Sequence, residues 1–308
     1  MFKLGLVGGG RMGRAHLRAM ESSDSVSIVA VTEPSAAASA VLPDNLAVFG
    51  TVREMLQGSE LDGALIAVPS GLHGDVIADL VASGVPILCE KPCGVTAAQT
   101  RQAAVLVAEA GIAFQVGYWR RFVPSLRAIH QRIQAGEFGE LFLVSCWQWD
   151  QEPPPTEFRL TSGGICIDMG VHEFDQTRWL TGQEFESFDL LIPGPEYSAH
   201  VPGDPESLQI QARMTGGTIA TVSLGRRYPP GDMCKAEVYG TGAAEETMFL
   251  APTDGEAGFL TAIREQAESF ARYAQGGPRE GASIEDAIAA LEVAERASAQ
   301  LAATTQAR

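Results

Sequence analysis

The chain is short of positive charge and of long apolar runs, and each shortage excludes a class of function. Its 22 lysine and arginine residues face 38 acidic ones, so the formal net charge over 308 residues is −16. Such a chain lacks the basic face that binds a nucleic-acid backbone, and it has little attraction to anionic membrane surfaces. No apolar run approaches the ~20 residues that span a bilayer, and the N-terminus runs into a strand pattern rather than a cleavable leader.

Cysteine is also scarce, and its spacing is not that of a disulfide or zinc framework. The five cysteines are an odd number, lie mostly in apolar stretches and include no Cys-x-x-Cys pair. This pattern favours thiols in a reducing compartment. With 45% hydrophobic and 19% charged residues, the chain has a globular composition and enough length for two domains. We therefore expect a cytoplasmic protein with no membrane and no nucleic-acid partner.

The first motif is a glycine-rich turn between an apolar strand, Lys3–Val7, and a helix predicted over Arg14–Glu21. Residues 8–13 read Gly-Gly-Gly-Arg-Met-Gly and fit G-x-G-x-x-G. In a dinucleotide site Gly8 makes the tight turn, Gly10 lets the backbone approach the pyrophosphate, and Gly13 lets the helix lie close to the strand. The alternative is a tight strand–helix turn without a ligand, but the flanking strand and helix favour the cofactor.

A carboxylate follows the second strand at the position where a ribose is bound in such sites. The strand Val26–Val31 ends at Thr32 and Glu33, and Glu33 lies about 20 positions beyond Gly13. No arginine follows it directly, so the sequence favours NAD and leaves NADP possible. The candidate cofactor-binding residues along the chain are Gly8, Gly10, Arg11, Met12, Gly13, Glu33, Pro69, Ser70, His73, Glu90 and Lys91.

An apolar run beginning at Val85 ends abruptly in Glu90, Lys91 and Pro92. The run is typical of a strand buried on both faces, and Pro92 ends it because proline has no backbone donor. Lys91 is therefore expected at the carboxyl end of a parallel strand, where open α/β sheets bind ligands. Glu90 could hold or tune the amine. The alternative is a solvated charge pair where the strand ends.

Strands and helices alternate as far as residue 118, which predicts a doubly wound parallel sheet. His73 falls in a turn after Pro69 and Ser70. It either lines the nicotinamide pocket or makes a local hydrogen bond at the start of a helix, and the sequence leaves both open. The other predicted elements here are the helix Val52–Gln57, the strand Gly63–Val68, the helices Asp75–Ala82 and Ala97–Glu109, and the strand Ala113–Gly117.

The pattern changes beyond Tyr118, where the last four predicted strands, from Phe188 to Tyr239, are joined by glycine-rich turns without intervening helices, which predicts a mostly antiparallel sheet. One face would cover a core and the other would be free to pack on a partner. The predicted elements are the helix Pro124–Ala135, an extended loop Gln151–Thr156, a polar loop Glu245–Gly258, the helices Phe259–Gln275 and Ser283–Leu301, and the strands Leu141–Trp149, Phe188–Pro193, Leu208–Met214, Thr218–Arg226 and Met233–Tyr239.

These patterns divide the chain into two predicted domains. Residues 1–118 would form the dinucleotide-binding domain, and residues 119–308 would bind the substrate and form the oligomer contact. The C-terminal helix, residues 283–301, is expected to pack back on the first domain.

A helix predicted over Gly164–Leu180 carries polar residues four and three positions apart. Asp168, His172 and Asp175 would share one face, opposite apolar positions such as Val171. An acid beside a histidine can orient the ring and tune its proton affinity. The alternatives are a hydrogen-bond network that only positions the helix, and a metal site. No further cysteine or histidine is spaced to complete a metal site, so we expect no metal.

Taken together, these motifs resemble the Gfo/Idh/MocA family of oxidoreductases, nearly from end to end. The loop at residues 150–155, leading into Gly163 and Gly164, is most similar to the inositol 2-dehydrogenase branch. The matching stretches are Gly8–Gly13, Glu33, Pro69 with His73, Glu90 to Pro92, Arg121 to Pro124, and Gly163 through Asp168, His172 and Asp175.

The resemblance implies a Rossmann domain and a C-terminal α/β domain whose large sheet makes a homo-oligomer, either a dimer or a tetramer. It also implies NAD(P)-dependent oxidation of a sugar or cyclitol hydroxyl to a ketone. By position Lys91, Asp168 and His172 match catalytic residues, and Asp175 and Arg121 match substrate-pocket positions. Gln148 lies near where relatives often carry histidine or arginine; it could still bind a hydroxyl, but the sugar stays open.

Two alternatives to this function stay open. One is a dehydrogenase or reductase for another pyranose. The other is a non-catalytic dinucleotide sensor on the same fold. The presence of Lys91, Asp168 and His172 speaks against the sensor.

Overall fold

The structure is a computed structural model that describes residues 1–194, 201, 204–253 and 256–306. The chain forms two compact units. The first comprises Met1–Phe122 and Phe259–Ile288, and the second takes in the described parts of Val123–Gly258 and Ala289–Arg308. Each unit is built around one six-stranded sheet.

The sheet of the first unit is entirely parallel, with strand order β3-β2-β1-β4-β5-β6. This confirms the predicted doubly wound sheet. Central strands such as β4 are buried along their whole length, which explains why their sequences are continuously apolar. The strands are β1 Phe2–Val7, β2 Val26–Thr32, β3 Ala47–Phe49, β4 Gly63–Ile66, β5 Ile87–Cys89 and β6 Phe114–Val116.

Helices connect these strands, and three of their starts are set by local side chains. The Ser35 hydroxyl caps α2 by accepting from the Ala38 amide. Thr51 and Glu54 form a reciprocal capping box at the start of α3, and the Thr96 hydroxyl caps α5. The helices are α1 Arg11–Met20, α2 Ala36–Ser39, α3 Val52–Gly58, α4 His73–Ala82 and α5 Ala97–Ala110. Helix α1 begins at Arg11, three residues before the predicted start, because the glycine turn leads directly into it.

The sheet of the second unit has strand order β12-β11-β7-β10-β9-β8 and is antiparallel except where β7 pairs with β10. This confirms the mostly antiparallel sheet. A buried cluster on one face includes Ile129, Phe138, Val144 and Leu180. The elements are α6 Pro124–Gln134, β7 Leu141–Trp149, α7 Thr156–Thr161, α8 Ile165–Asp168, α9 Gly170–Thr181, β8 Phe185–Leu191, β9 Ser207–Met214, β10 Ile219–Gly225, β11 Met233–Gly240 and β12 Ala244–Leu250.

Three expectations for this unit were wrong. The polar stretch predicted as a loop over Glu245–Gly258 contains strand β12, which pairs with β11. As an edge strand with alternating exposure, it tolerates acidic side chains. The loop predicted to reach Thr156 gives way there to the short helix α7. The single helix predicted over Gly164–Leu180 is divided at Met169, where the His172 amide donates to the Met169 carbonyl in a tighter i→i−3 turn.

Two further helices complete the described chain: α10, Ala257–Ala274, and α11, Ile284–Gln306. The start of α11 is fixed by a reciprocal pair, in which the Ser283 amide donates to the Asp286 carboxylate and the Asp286 amide donates to the Ser283 hydroxyl. None of the helices in the described part of the chain has the combination of length and apolarity that a bilayer span requires.

Candidate active site

The glycine turn after β1 has the geometry that a dinucleotide phosphate requires. Gly8 has a φ of +106°, and a Cβ there would lie 2.7 Å from the Ala67 carbonyl oxygen. A Cβ on Gly13 would overlap the Gly8 carbonyl oxygen, so only glycine lets α1 lie this close to the turn. Gly10 precedes α1 without a side-chain cap, and the space where its Cβ would stand is open. These residues fit the pyrophosphate of a dinucleotide.

Glu33 connects the glycine turn to the end of β2. One of its carboxylate oxygens accepts from the Gly9 amide at 2.8 Å, and the other accepts from the Ser35 amide at 2.9 Å. These bonds fix the carboxylate beside the turn. Each oxygen can still accept a second hydrogen bond, so the arrangement is compatible with a ribose hydroxyl as donor.

Lys91 follows β5 after one intervening residue, Glu90. The Glu90 carboxylate contacts the ring Nε2 of His16 at 2.7 Å and accepts from the Lys91 backbone amide at 3.3 Å. The sequence suggested that Glu90 could hold or tune the Lys91 amine, and the structure adds a histidine of α1 as a partner of its carboxylate. His16 and Glu90 are both buried. This hydrogen-bonding contact links the glycine-turn helix to the strand end that carries Lys91.

His73 is the first residue of α4 and lies buried beside the carboxyl end of β5. Its Nε2 contacts the Val68 carbonyl oxygen at 2.8 Å, and its Nδ1 lies 3.6 Å from Cys89 Sγ. Burial lowers the pKa of His73 below the ordinary value of 6.5. Of the two possibilities left open by the sequence, these contacts match the local hydrogen bond at a helix start. Pro69 is exposed and Ser70 half-buried in the short 3₁₀ turn before it.

Arg121 is buried in a second 3₁₀ turn, Trp119–Phe122. Its guanidinium Nη1 lies 3.2 Å from the Asp286 carboxylate, at the start of α11. The resemblance implied a substrate-pocket position for Arg121. The structure adds that this side chain is held by an acid more than a hundred residues further along the chain.

Asp168 is the last residue of α8, a single turn of helix. Two glycines lead into it, Gly163 and Gly164, with φ values of +86° and +77°. Both values lie in the left-handed region, so the sharp entry into α8 depends on glycine at these positions. The Asp168 carboxylate Oδ2 accepts from Arg226 Nη1 at 3.1 Å. Its side chain is 17% exposed, whereas that of Arg226 is fully buried.

His172 and Asp175 lie in α9, a helix whose surface is buried on nearly all sides. The expected polar face is therefore only part of a wider set of buried polar residues, which includes Glu173 and Gln176. Gln176 Nε2 donates to Cys146 Sγ of β7 at 3.1 Å. This contact fixes α9 against the sheet, and α9 holds His172 and Asp175 with it.

At the carboxyl end of β7, Gln148 donates from Nε2 to the Asp150 carboxylate at 3.2 Å. Burial raises the pKa of Asp150, and the nearby carboxylates of Asp232 and Asp168 act in the same direction. Asp150 was predicted only as part of a loop. Its proximity to Asp168 makes it a further carboxylate of the candidate site in this unit.

The structure thus brings together some of the predicted residues and not others. Lys91 lies in the first unit at the same sheet edge as the glycine turn, while Asp168, His172, Asp175 and Gln148 lie in the second. Arg226 and His16 were missed by sequence reasoning, although each directly contacts a predicted residue or its neighbour. Among the residues that the structure describes, no three His, Cys, Asp or Glu side chains are grouped as a metal site would need.

The parallel sheet and the glycine turn define a dinucleotide-binding domain of the Rossmann type. The family model described as "Oxidoreductase family, NAD-binding Rossmann fold" matches residues 2–118, and the GFO/IDH/MocA C-terminal domain model matches residues 126–244. The chain belongs to the Gfo/Idh/MocA family.

Two relatives match almost the whole chain. The rhizopine catabolism protein MocA of Rhizobium meliloti is 50% identical over 96% of this chain and 94% of its own length. An inositol 2-dehydrogenase of Rhizobium meliloti strain 1021 is 30% identical over 96% of this chain and 95% of its own length.

Solved structures share the fold over both units. A myo-inositol dehydrogenase from Corynebacterium glutamicum ATCC 13032 has a TM-score of 0.87 at 22% identity, covering 99% of this chain and 97% of that one. A scyllo-inositol dehydrogenase from Lactobacillus casei, with bound NAD(H) and scyllo-inositol, has a TM-score of 0.83 at 23% identity, covering 96% and 95%.

Proposed function

We propose that this protein uses NAD(P) to oxidise a secondary hydroxyl of a cyclitol or sugar, such as myo-inositol, to a ketone. One observation carries the proposal. Strands β1, β4 and β5 are neighbours in a parallel sheet, so Gly8, Ser70 and Lys91 follow strand ends at the same edge. Lys91 therefore lies at the same carboxyl edge of the sheet as the glycine turn that would bind the dinucleotide. Relatives named as inositol dehydrogenases support the substrate class.

The roles of the side chains follow from the chemistry of removing a hydride from a secondary alcohol. The bound nicotinamide accepts the hydride, and a proton must leave the hydroxyl oxygen. His172 is the proposed base, because imidazole exchanges a proton near neutral pH. Asp168 is proposed to orient it, and the Lys91 ammonium to hydrogen-bond the developing alkoxide.

Substrate binding is proposed for three further side chains and follows from their hydrogen-bonding chemistry. Asp175 accepts from hydroxyl groups, and Arg121 and Gln148 donate to them. Their number suits a substrate with several hydroxyls. No metal ion enters this scheme, because the lysine ammonium supplies the positive charge beside the alkoxide.

We propose NAD as the preferred cofactor. Glu33, fixed beside the glycine turn by two backbone amides, would accept from a ribose hydroxyl and repel a 2′-phosphate. The binding test is a titration with each cofactor. NADP binding at least about tenfold tighter than NAD, a difference of ~1.4 kcal/mol, would contradict this role of Glu33. A cytoplasmic location is also proposed, since all five cysteine side chains are buried and none is spaced for a structural disulfide framework.

The test of activity is the growth of reduced-nicotinamide absorbance at mildly alkaline pH. The purified protein is offered NAD and NADP in turn with myo-inositol, scyllo-inositol, glucose, xylose, galactose, rhizopine and simple alcohols. Turnover of a cyclitol supports the proposal. Turnover of a pyranose alone supports the alternative of another sugar dehydrogenase or reductase.

A non-catalytic dinucleotide sensor is separated from an enzyme by the variant Lys91→Ala. An enzyme should lose turnover while its cofactor affinity stays the same, because the ammonium acts on the alkoxide. Lys3→Ala is the matched control, since Lys3 lies on the surface in an exposed pair with Glu60. Cofactor binding without turnover of any compound in the panel would favour the sensor.

A further inference from the structure

We propose that Arg226 is a positioning residue for the reaction: it holds α8 at both ends and so fixes the carboxylate of Asp168. This inference rests on the proposed function, in which Asp168 orients the base. It concerns a residue that has no local sequence signature and no role in the scheme above.

Helix α8 does not have the means to fix Asp168 by itself. It has four residues, Ile165–Asp168, and a single turn of helix orders several backbone angles for very few hydrogen bonds. Gly163 and Gly164 precede it, and glycine adds conformational freedom rather than rigidity. The order of this turn must therefore come from contacts outside it.

The first residue of α8 is held by Asp204. The Asp204 carboxylate Oδ1 accepts from the Ile165 backbone amide at 2.8 Å. The same oxygen accepts from Arg226 Nε and Nη2, each at 3.1 Å. Asp204 is 2% exposed, so these bonds are shielded from water. The beginning of α8 is thus tied through one carboxylate to the Arg226 guanidinium.

The last residue of α8 is held by the same guanidinium. Arg226 Nη1 donates to Asp168 Oδ2 at 3.1 Å, while Nε and Nη2 remain on Asp204. Arg226 follows β10 directly, and its backbone amide donates to the Glu206 carbonyl oxygen at 2.8 Å. A planar guanidinium with several fixed donors can join two carboxylates in one geometry, which a lysine ammonium cannot reproduce.

A second buried arginine supports Asp204 from the other side. Arg159 Nε donates to Asp204 Oδ2 at 2.5 Å, and its Nη1 donates to Glu206 at 2.9 Å. Buried ion pairs of this kind are costly to desolvate, and apolar residues of similar volume are often at least as stabilising. A stability role alone therefore explains the network poorly. The network contacts the candidate active site through Asp168.

The test is a kinetic double-mutant cycle between Arg226→Met and Asp168→Asn, measured with the best substrate of the panel. Arg226→Met should lower kcat by about 10²-fold, with little change in cofactor affinity, because a small displacement of a catalytic group has an effect of this size. In the Asp168→Asn background the same change should lower kcat little further, since Arg226 acts through Asp168. Arg226→Lys should show the same loss of kcat and the same lack of further loss in the Asp168→Asn background. This variant replaces Arg226→Met in the test if Arg226→Met does not fold.

The matched control is Arg178→Met, which removes a two-bond ion pair with Glu184 in the same unit, away from α8. It should leave kcat unchanged. An unchanged kcat in Arg226→Met, or a full multiplicative loss in the double variant, would overturn the proposal. If Asp168→Asn alone keeps full turnover, the proposed role of Asp168 fails instead, and the two failures are distinguishable.

Hydrogen exchange tests the same contact without a substrate. The amides of residues 164–169 should exchange faster in Arg226→Met than in the wild-type protein or in Arg178→Met, because α8 has lost the contact that joins its two ends. Equal exchange in all three proteins would also overturn the proposal, whatever the outcome of the activity panel.

Discussion

At the scale of single residues, the contact between His16 and Glu90 carries a consequence for stability. Both side chains are buried, and 2.7 Å separates the ring Nε2 from the carboxylate. His16→Phe should lower the free energy of unfolding by about 1–3 kcal/mol, because it leaves a buried carboxylate without that partner. Denaturant unfolding measures the loss.

The double variant is the control for this prediction. In His16→Phe with Glu90→Leu, neither polar group of the pair is left without its partner, so the loss should be clearly smaller than the sum of the two single losses. Additive losses would show that the two side chains stabilise the fold independently.

His73 should make stability depend on pH. Its pKa in the folded protein is lowered by burial from the ordinary 6.5. As the pH falls below 6.5, the unfolded chain therefore binds a proton that the folded protein does not, and the free energy of unfolding decreases. His73→Gln should weaken this decrease in unfolding experiments between neutral and mildly acidic pH. The same pH slope in both proteins would contradict the prediction.

The residues that sequence reasoning identified, and those it missed, differ in how far along the chain their partners lie. Lys91 and Gly8 lie within local patterns of strand, turn and helix, which can be read from neighbouring positions. Arg226 contacts Asp168 across 58 positions, and His16 contacts Glu90 across 74. No local pattern marks such a pair, because only the strand order and helix packing bring its members together.

At the scale of the elements, the geometry of the turn between β1 and α1 predicts that alanine substitutions of Gly13 and Gly10 have different effects. Gly13→Ala should lower both the free energy of unfolding, by about 1–3 kcal/mol, and cofactor affinity, because the new Cβ overlaps the Gly8 carbonyl oxygen. Gly10→Ala should lower cofactor affinity alone, since its Cβ enters open space on the approach to the pyrophosphate.

Thermal unfolding and cofactor titration of both variants check this pair. Unchanged cofactor affinity in Gly10→Ala would mean that the pyrophosphate lies elsewhere. Unchanged stability in Gly13→Ala would mean that α1 can move away from the turn without cost.

Helices and strands were predicted well where the apolar pattern was strong. They were predicted poorly where the pairing of distant strands determines the structure. The buried parallel strands were identified because a short, continuously apolar run is typical of a strand that is buried on both faces. Strand β12 was missed, because its acidic residues are acceptable only at a sheet edge and the sequence does not state the strand order. The division between α8 and α9 was missed because Met169 has no helix-breaking side chain.

At the scale of the whole molecule, the sheet of the second unit covers a core with one face. Its other face carries both apolar and charged side chains. The paired residues Leu143 and Ile219 lie on this second face, and so do Trp147 and Met248, each opposite Lys235. Ile219 and Met248 are 36% and 50% exposed. Apolar side chains share the face with ion pairs such as Lys235 with Glu237, and a contact between protein chains can accommodate such a mixture when the charged groups lie at its rim.

We expect this face to join copies of the chain into a dimer or tetramer. Ile219 lies on β10, between β7 and β9 in the middle of the sheet, so a charge there would be buried without a partner in any face-to-face contact. Ile219→Arg should therefore shift the molar mass in light scattering toward that of a single chain of 32.7 kDa. Val105→Arg, at a 56% exposed position on α5 in the first unit, is the matched control and should leave the mass unchanged. A wild-type mass of one chain would refute the expectation. An oligomer that survives Ile219→Arg would instead place the contact on another surface.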